Sequence, residues 1–136
     1  MKIAKSEQII SPETGTTIAG YGTFDETYRK TDDLVVSMLA LDDGRNKALI
    51  LGFDLIGMDE ELCDRIRSKA ARALDTAEDF VILSCTHTHE GPHTRTLAEH
   101  PEVFNAAYVE QLIRWTGRAS MISRCCRVMS LYRLAS

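Results

Sequence analysis

Three histidines stand close together in the segment VILSCTHTHEGPH, which covers residues 81–93. They are His87, His89 and His93, three of the four histidines in the chain. Neutral imidazole is a common zinc ligand, and two histidines separated by one residue lie roughly 7 Å apart on an extended backbone, within reach of one ion. The spacing therefore points to metal-assisted chemistry, with solvated loop histidines of no function as the alternative.

The histidines follow an apolar run that is typical of a buried strand. Because side chains alternate along an extended backbone, every second residue of the segment shares one face. These residues are Val81, Leu83, Cys85, His87 and His89. The face turns from apolar to imidazole at its carboxyl end, which is where open α/β sheets place their ligand sites. Cys85 is then a core residue rather than a nucleophile, and Gly91 and Pro92 end the strand.

An acidic residue follows a second apolar run. Asp54 comes directly after the run KALILGF at 47–53. If that strand is parallel to the one before the histidines, Asp54 and His87 lie at the same edge of the sheet. A carboxylate in that position binds the same metal or fixes the tautomer of the ring. We therefore expect Asp54 to lie near the site.

Periodicity and turn residues place these segments in an α/β fold. Strands are predicted at 2–10, 34–41, 47–53 and 79–86, and helices at 59–76 and from Pro101 through Trp115. The turn Asp42-Asp43-Gly44 makes a β-hairpin of the second and third strands. The first helix has apolar residues at helical spacing and makes a right-handed βαβ crossover with its flanking strands. The fold class is therefore α/β, a mixed sheet with an N-terminal β-hairpin and a βαβ crossover.

Composition excludes several classes of protein. The 136 residues fit one domain, and the net charge of −4 gives no reason to expect a nucleic-acid partner. No apolar run approaches the roughly 18 residues that a membrane helix needs. The first residues lack the apolar core of a signal peptide, and the four cysteines form no CxxC pair. We expect a cytoplasmic protein with reduced thiols and no transmembrane segment.

Two metallohydrolase classes carry the HxH spacing. The HxHxDH motif of metallo-β-lactamase-type enzymes is absent, since residues 91 and 92 are Gly and Pro. Amidohydrolase barrels also place HxH at the end of a strand, but their first strand comes early in the chain. Here a hairpin and a helix precede the motif, so an amidohydrolase-type metal enzyme stays an alternative only as a fragment.

The segment THTHEGP at 86–92 resembles the THTHSGP motif of the neutral/alkaline non-lysosomal ceramidase family. Other pieces agree in order: Gly20-Tyr21-Gly22, the strand and turn LALDDG, and the strand LILGFDLIG before the helix. The resemblance covers about residues 8–116. It corresponds to the N-terminal part of the family's catalytic domain, and therefore implies an α/β domain that is incomplete.

This resemblance implies a zinc-dependent amidase that cleaves the N-acyl bond of ceramide by means of metal-activated water. It implies that His87 is a zinc ligand and that His89 lies beside the metal, in contact with the reacting carbonyl or the water. Glu90 stands where the family motif has serine. The family's other ligands, a His, a Glu and a Tyr, come from later segments, and nothing after residue 93 matches them.

A change of composition follows the region of resemblance. All 20 acidic residues lie in 1–110, whereas 111–136 holds five arginines and no acid. We therefore expect a partial ceramidase-like domain at 1–116 and an atypical basic tail at 117–136. The tail indicates a truncated or frame-shifted copy of a longer enzyme, or else an amphipathic basic helix. Helical spacing is seen at Met121, Cys125, Val128 and Tyr132.

Four further residues are candidates near the site. Asp54, Glu90 and His93 are predicted beside the metal or the substrate, and Tyr21 either lines the pocket or belongs to a flexible turn. Three functions follow: a zinc hydrolase acting on a small-molecule or lipid-like amide, a non-catalytic remnant of that fold, or an amidohydrolase fragment. The sequence does not fix the substrate or the oligomeric state.

Overall fold

A computed structural model of the protein describes residues 1–24 and 26–117. Its four strands form one sheet in the order β1–β2–β3–β4. They are β1 (Lys2–Ile9), β2 (Val35–Asp42), β3 (Lys47–Phe53) and β4 (Val81–Cys85). The first three pair antiparallel, and β3 and β4 pair parallel. The predicted mixed α/β sheet, with an N-terminal hairpin and a βαβ crossover, is confirmed.

Two α-helices, α1 (Glu60–Leu74) and α2 (Ala106–Thr116), accompany the sheet. The crossover from β3 to β4 runs through α1, as the period of its apolar residues predicts. The fourth strand starts two residues later than predicted, because Glu78–Phe80 form a 3₁₀ turn. A second 3₁₀ turn, Pro101–Val103, precedes α2. Most of the predicted basic tail, residues 118–136, lies outside the described residues.

One face of the sheet is buried against the helices. Alternate residues of β2 and β3 supply its centre, and these are Val36, Met38, Ala40, Leu49, Leu51 and Phe53. A stripe on α1 joins the same core and consists of Leu62, Ile66, Ala70 and Leu74. Because the pattern has period two in the strands and a helical period in α1, each element presents one apolar side to a shared interior.

Side chains at both ends of α1 fix where the helix begins and ends. The Asp59 carboxylate accepts a hydrogen bond of 2.9 Å from the backbone N–H of Leu62, which is an N-cap. At the other end, Lys47 Nζ donates to the carbonyl of Leu74 at 3.1 Å, and Thr76 Oγ1 donates to the carbonyl of Lys47 at 2.6 Å. The end of α1 is therefore tied to the start of β3, which sets the return path to β4.

Helix α2 is anchored to the far end of β1. Asn105 Oδ1 caps the helix by accepting from the N–H of Tyr108 at 3.0 Å. The buried Tyr108 hydroxyl donates to the carbonyl of Ile10 at 2.7 Å, and burial raises the pKa of this phenol above its ordinary value. Tyr108 and Trp115 pack α2 against the core. No helix in the described ranges has the length and apolar character needed to span a membrane.

We expect Tyr108→Phe to lower the free energy of unfolding by about 1–2 kcal/mol, because the carbonyl of Ile10 loses a buried partner. Denaturant unfolding followed by circular dichroism measures the change. Tyr28→Phe is the matched control, since Tyr28 Oη makes a longer bond of 3.2 Å to the nearby carbonyl of Asp32. Equal losses in the two variants would show that the Tyr108–Ile10 bond has no special role.

Candidate active site

The parallel strands bring their carboxyl ends to one edge of the sheet, and the pairing continues beyond β4. The N–H of Thr86 donates to the carbonyl of Phe53 at 2.9 Å, and the N–H of His87 donates to the carbonyl of Leu55 at 3.0 Å. His87 and Asp54 therefore emerge at the same edge, as the sequence predicts. The histidine segment is held by backbone bonds to the chain that follows β3.

The backbone at His87 departs from the predicted extended form. His87 has φ 64°, in the left-handed region that non-glycine residues adopt only at a cost. The predicted alternation of faces holds through Cys85 and is wrong beyond it, because this residue turns the chain. Burial raises the pKa of the Cys85 thiol, which agrees with the prediction that Cys85 is a core residue.

The turn still brings the two imidazoles of the motif together. The ring centroids of His87 and His89 are 5.4 Å apart, and the edge of the Tyr21 ring meets His89 at a centroid distance of 5.7 Å. Tyr21 Oη donates to Glu90 Oε1 at 2.8 Å, a bond that raises the pKa of the exposed phenol. Four of the predicted site residues are therefore linked by successive contacts, from His87 to His89, Tyr21 and Glu90.

Gly20 has a role at this site that the sequence prediction did not include. Its φ is 108°, and a Cβ built on it would lie 2.6 Å from Cγ and Nδ1 of His89. The same Cβ would lie 2.9 Å from Cδ1 of Ile56. Only glycine fits here, because the His89 ring rests against the backbone. The signal in the sequence was the first glycine of Gly20-Tyr21-Gly22.

His93 is buried, although it follows the Gly-Pro break. Its side chain is 9% exposed, and Nε2 has no hydrogen-bond partner in the described part of the chain. Burial lowers the pKa of the ring and Arg95 lowers it further, while a hydrogen bond to the backbone of Ile18 opposes them. The ring of Phe24 lies beside it at a centroid distance of 5.8 Å. The lowered pKa favours the neutral form of the ring, and its Nε2 is unpaired within the described residues.

His87 and His93 line one cavity of about 330 Å³. Its walls come from Ala19 and Gly20, from the segment 56–58 after β3, and from Thr94, Arg95 and Leu97. This volume is at the lower end of the range for small-molecule sites, which is roughly 300–1,000 Å³. The predicted metal ligand and a predicted substrate-near histidine therefore share a space that admits a ligand.

Asp54 is hydrogen-bonded to the backbone of Val35 at the start of β2. Its Oδ2 accepts a hydrogen bond of 3.0 Å from the N–H of Val35, and its own N–H donates to the carbonyl of Val35 at the same distance. The carboxylate therefore closes the end of the β2–β3 pair, a structural task. Its role as a partner of His87 stays a prediction.

The described residues do not form a complete zinc site. Within 1–24 and 26–117, no three His, Cys, Asp or Glu side chains are grouped closely enough to hold a metal ion. Structural and catalytic zinc sites use at least three protein ligands. The described part of the chain therefore offers a pair of neighbouring imidazoles and not a complete set of zinc ligands.

The fold and the strand-end site define a class of α/β protein whose ligand site lies beyond the carboxyl ends of parallel strands. Two solved structures share this fold, "Crystal Structure Analysis of neutral ceramidase from Pseudomonas aeruginosa" and "Ceramidase complexed with C2". Each aligns with a TM-score of 0.75 over 91% of this chain at 13% sequence identity.

The present chain spans 21% of the length of each of these ceramidases. At this identity the likeness concerns the fold, and on that level the chain has the fold of a part of neutral ceramidase. No family model and no curated protein sequence matches the chain.

Two glycine substitutions test how closely His89 depends on Gly20. We expect Gly20→Ala to displace the His89 ring and to destabilise the fold by about 1–3 kcal/mol, from backbone strain and the close contact. Gly22→Ala is the control, because Gly22 also has positive φ but its Cβ would meet nothing within 4 Å. Imidazole NMR shifts should move for His89 in the first variant only. Equal shifts of the His89 signals in both variants would contradict the contact between Gly20 and His89.

The left-handed backbone at His87 gives an unusual expectation for stability. Glycine is normally less favourable than alanine by about 0.5–1 kcal/mol, but it is the better residue at positive φ. We therefore expect His87→Gly to be more stable than His87→Ala by about 1 kcal/mol, although both lack the imidazole. Thermal and denaturant unfolding measure the difference. A more stable alanine variant would show that residue 87 is not left-handed.

Proposed function

We propose that the chain is part of the catalytic domain of a zinc-dependent hydrolase that cleaves an amide (N-acyl) bond. The observation that carries the proposal is the position of His87 and His89 at the carboxyl end of β4, in a chain with a ceramidase-like fold. Zinc bound there would polarise the amide carbonyl and lower the pKa of bound water to about 7. A lipid-like amide is the substrate class that the two neutral ceramidases suggest.

The residues of this chain have separate tasks in the proposed site. His87 supplies one imidazole to zinc, fixed by the backbone bond to Leu55 and by the turn at its own φ. His89 lies next to it and contacts the substrate carbonyl or the water. Tyr21 holds the outer edge of His89, and Glu90 holds the hydroxyl of Tyr21. The described residues supply no complete group of zinc ligands, and nothing after residue 93 matches the other ligands of the family.

A second candidate is a non-catalytic remnant of the same fold. It is favoured by the absence of a three-donor group in residues 1–24 and 26–117. The third candidate, an amidohydrolase barrel, is not supported, because two of the three strand pairs are antiparallel whereas such barrels are built from parallel strands. A cytoplasmic location and the absence of a nucleic-acid partner stay predictions.

Zinc titration of the full chain separates the first two candidates. We expect His87→Ala to weaken zinc binding at least about tenfold, because the ligand is lost. His100→Ala is the matched control, since His100 pairs with Glu102 at 3.0 Å and is not among the predicted site residues. Metal analysis by mass spectrometry and isothermal titration give the two affinities. Equal zinc binding by the wild type and His87→Ala would remove His87 from the site.

Activity then decides whether the chain is catalytic. If the chain forms a complete zinc site, we expect it to hydrolyse a lipid-like N-acyl amide, and we expect His87→Ala and His89→Ala each to lower the rate at least about a hundredfold. Release of the fatty acid is measured by mass spectrometry. A wild type that retains no stoichiometric zinc and releases no fatty acid would favour the non-catalytic remnant.

A further inference from the structure

One nitrogen of His93 has no hydrogen-bond partner among the described residues. The ring is only 9% exposed, and its Nε2 is buried without a hydrogen-bond partner among the described residues. Buried polar atoms in native proteins nearly always have a partner, so each exception needs a reason. His93 is also one of the residues that line the cavity of about 330 Å³, where a ligand would be the missing partner.

The tautomer of His93 follows from its one backbone bond. The N–H of Ile18 already donates to the carbonyl of Glu26 at 3.0 Å, which leaves the carbonyl of Ile18 for the ring. Because Nε2 is unpaired, the bond to Ile18 runs from Nδ1–H. In a neutral imidazole that donates through Nδ1, the other nitrogen carries a lone pair and is an acceptor.

The cavity favours a neutral donor over a protonated amine as the partner of this lone pair. Among the described residues that line it there is no Asp or Glu, and Arg95 adds a positive charge. A protonated amine would be repelled by that charge, whereas a neutral N–H group would not. Ile56, Met58 and Leu97 give the same cavity apolar walls. The surroundings therefore suit an acyl chain with one neutral N–H group.

We propose that His93 is a substrate-binding residue whose Nε2 accepts a hydrogen bond from the N–H of an amide held in this cavity. The proposal rests on the proposed function and narrows it, since it selects secondary amides, which have an N–H, over tertiary amides, which do not. A bond at the amide nitrogen also orients the adjacent carbonyl within the cavity that His87 lines. His93 thereby sets which amides bind, and His87 and His89 act on the carbonyl.

The test compares two amides in which the N–H hydrogen of one is replaced by a methyl group in the other. N-methyloctanamide has one N–H and N,N-dimethyloctanamide has none, and each is titrated into the metal-free full chain. We expect the wild type to bind the secondary amide about fivefold more tightly, the ratio that one net hydrogen bond gives. In His93→Phe, which keeps a planar ring of similar size, the ratio should fall to about one. His93→Gln restores an acceptor and should recover a preference for the secondary amide.

A measurement on the wild type needs no variant. Long-range ¹H–¹⁵N NMR should show His93 as the Nδ1–H tautomer, with Nε2 shifted by N-methyloctanamide and not by the tertiary amide. Equal affinities for the two amides, no binding of either, or an unchanged ratio in His93→Phe would each overturn the proposal. A shift of Nε2 by zinc chloride alone would do the same, because it would make His93 a metal ligand.

The two proposals fail separately. The amide titration uses metal-free protein and measures binding, so it does not depend on zinc or on turnover. If the chain discriminates between the amides but binds no zinc at His87, the proposed role of His93 is supported and the proposed hydrolase function is contradicted. If the chain hydrolyses secondary and tertiary amides equally well, the hydrolase function is supported and the role of His93 is contradicted.

Discussion

The parallel pairing of β3 with β4 is the constraint on which the rest of the structure depends. Hydrogen bonds continue past both strands, from Thr86 to Phe53 and from His87 to Leu55, so the two carboxyl ends advance together. Parallel neighbours need a crossover connection, and α1 supplies it with its apolar stripe against the sheet. Without this pairing the histidine segment would have no fixed position relative to the chain that follows β3.

A second constraint comes from the loop before β2. Ile18 forms a β-bridge with Pro92, and the N–H of Ala19 donates to the carbonyl of Gly91 at 2.9 Å. These bonds hold the loop next to the histidine segment. As a result Gly20 contacts the His89 ring, and the backbone of Ile18 forms a hydrogen bond with His93. Because the cavity lies between the two segments, the site is built from parts of the chain about seventy residues apart, as the Tyr21–Glu90 bond also shows.

The sequence predicts the parts of this structure that depend on local pattern. Strand alternation and helical period place the four strands and α1 to within two residues, and the parallel crossover places Asp54 and His87 at one edge. The start of α2 is less well predicted, because a 3₁₀ turn follows Pro101 and the helix begins only at Ala106. The left-handed backbone at His87 could not be predicted, because no glycine marks it. The burial of His93 and the contact of Gly20 with His89 depend on distant pairing, which one sequence does not reveal. The roles of the site residues rest on their motif and stay predictions.

Two features at the edge of the sheet where β3 and β4 end lower the stability of the fold. Both belong to residues that line the same cavity. A non-glycine residue with φ 64° costs free energy, and so does a buried imidazole nitrogen that has no partner among the described residues, each on the order of 1–3 kcal/mol. A chain selected for folding alone could remove both, with glycine at 87 and an apolar residue at 93. Costs of this kind collect at functional sites, where local structure is set by a ligand or a reaction. Their coincidence around His87 and His93 is the pattern that the proposed ligand site would produce.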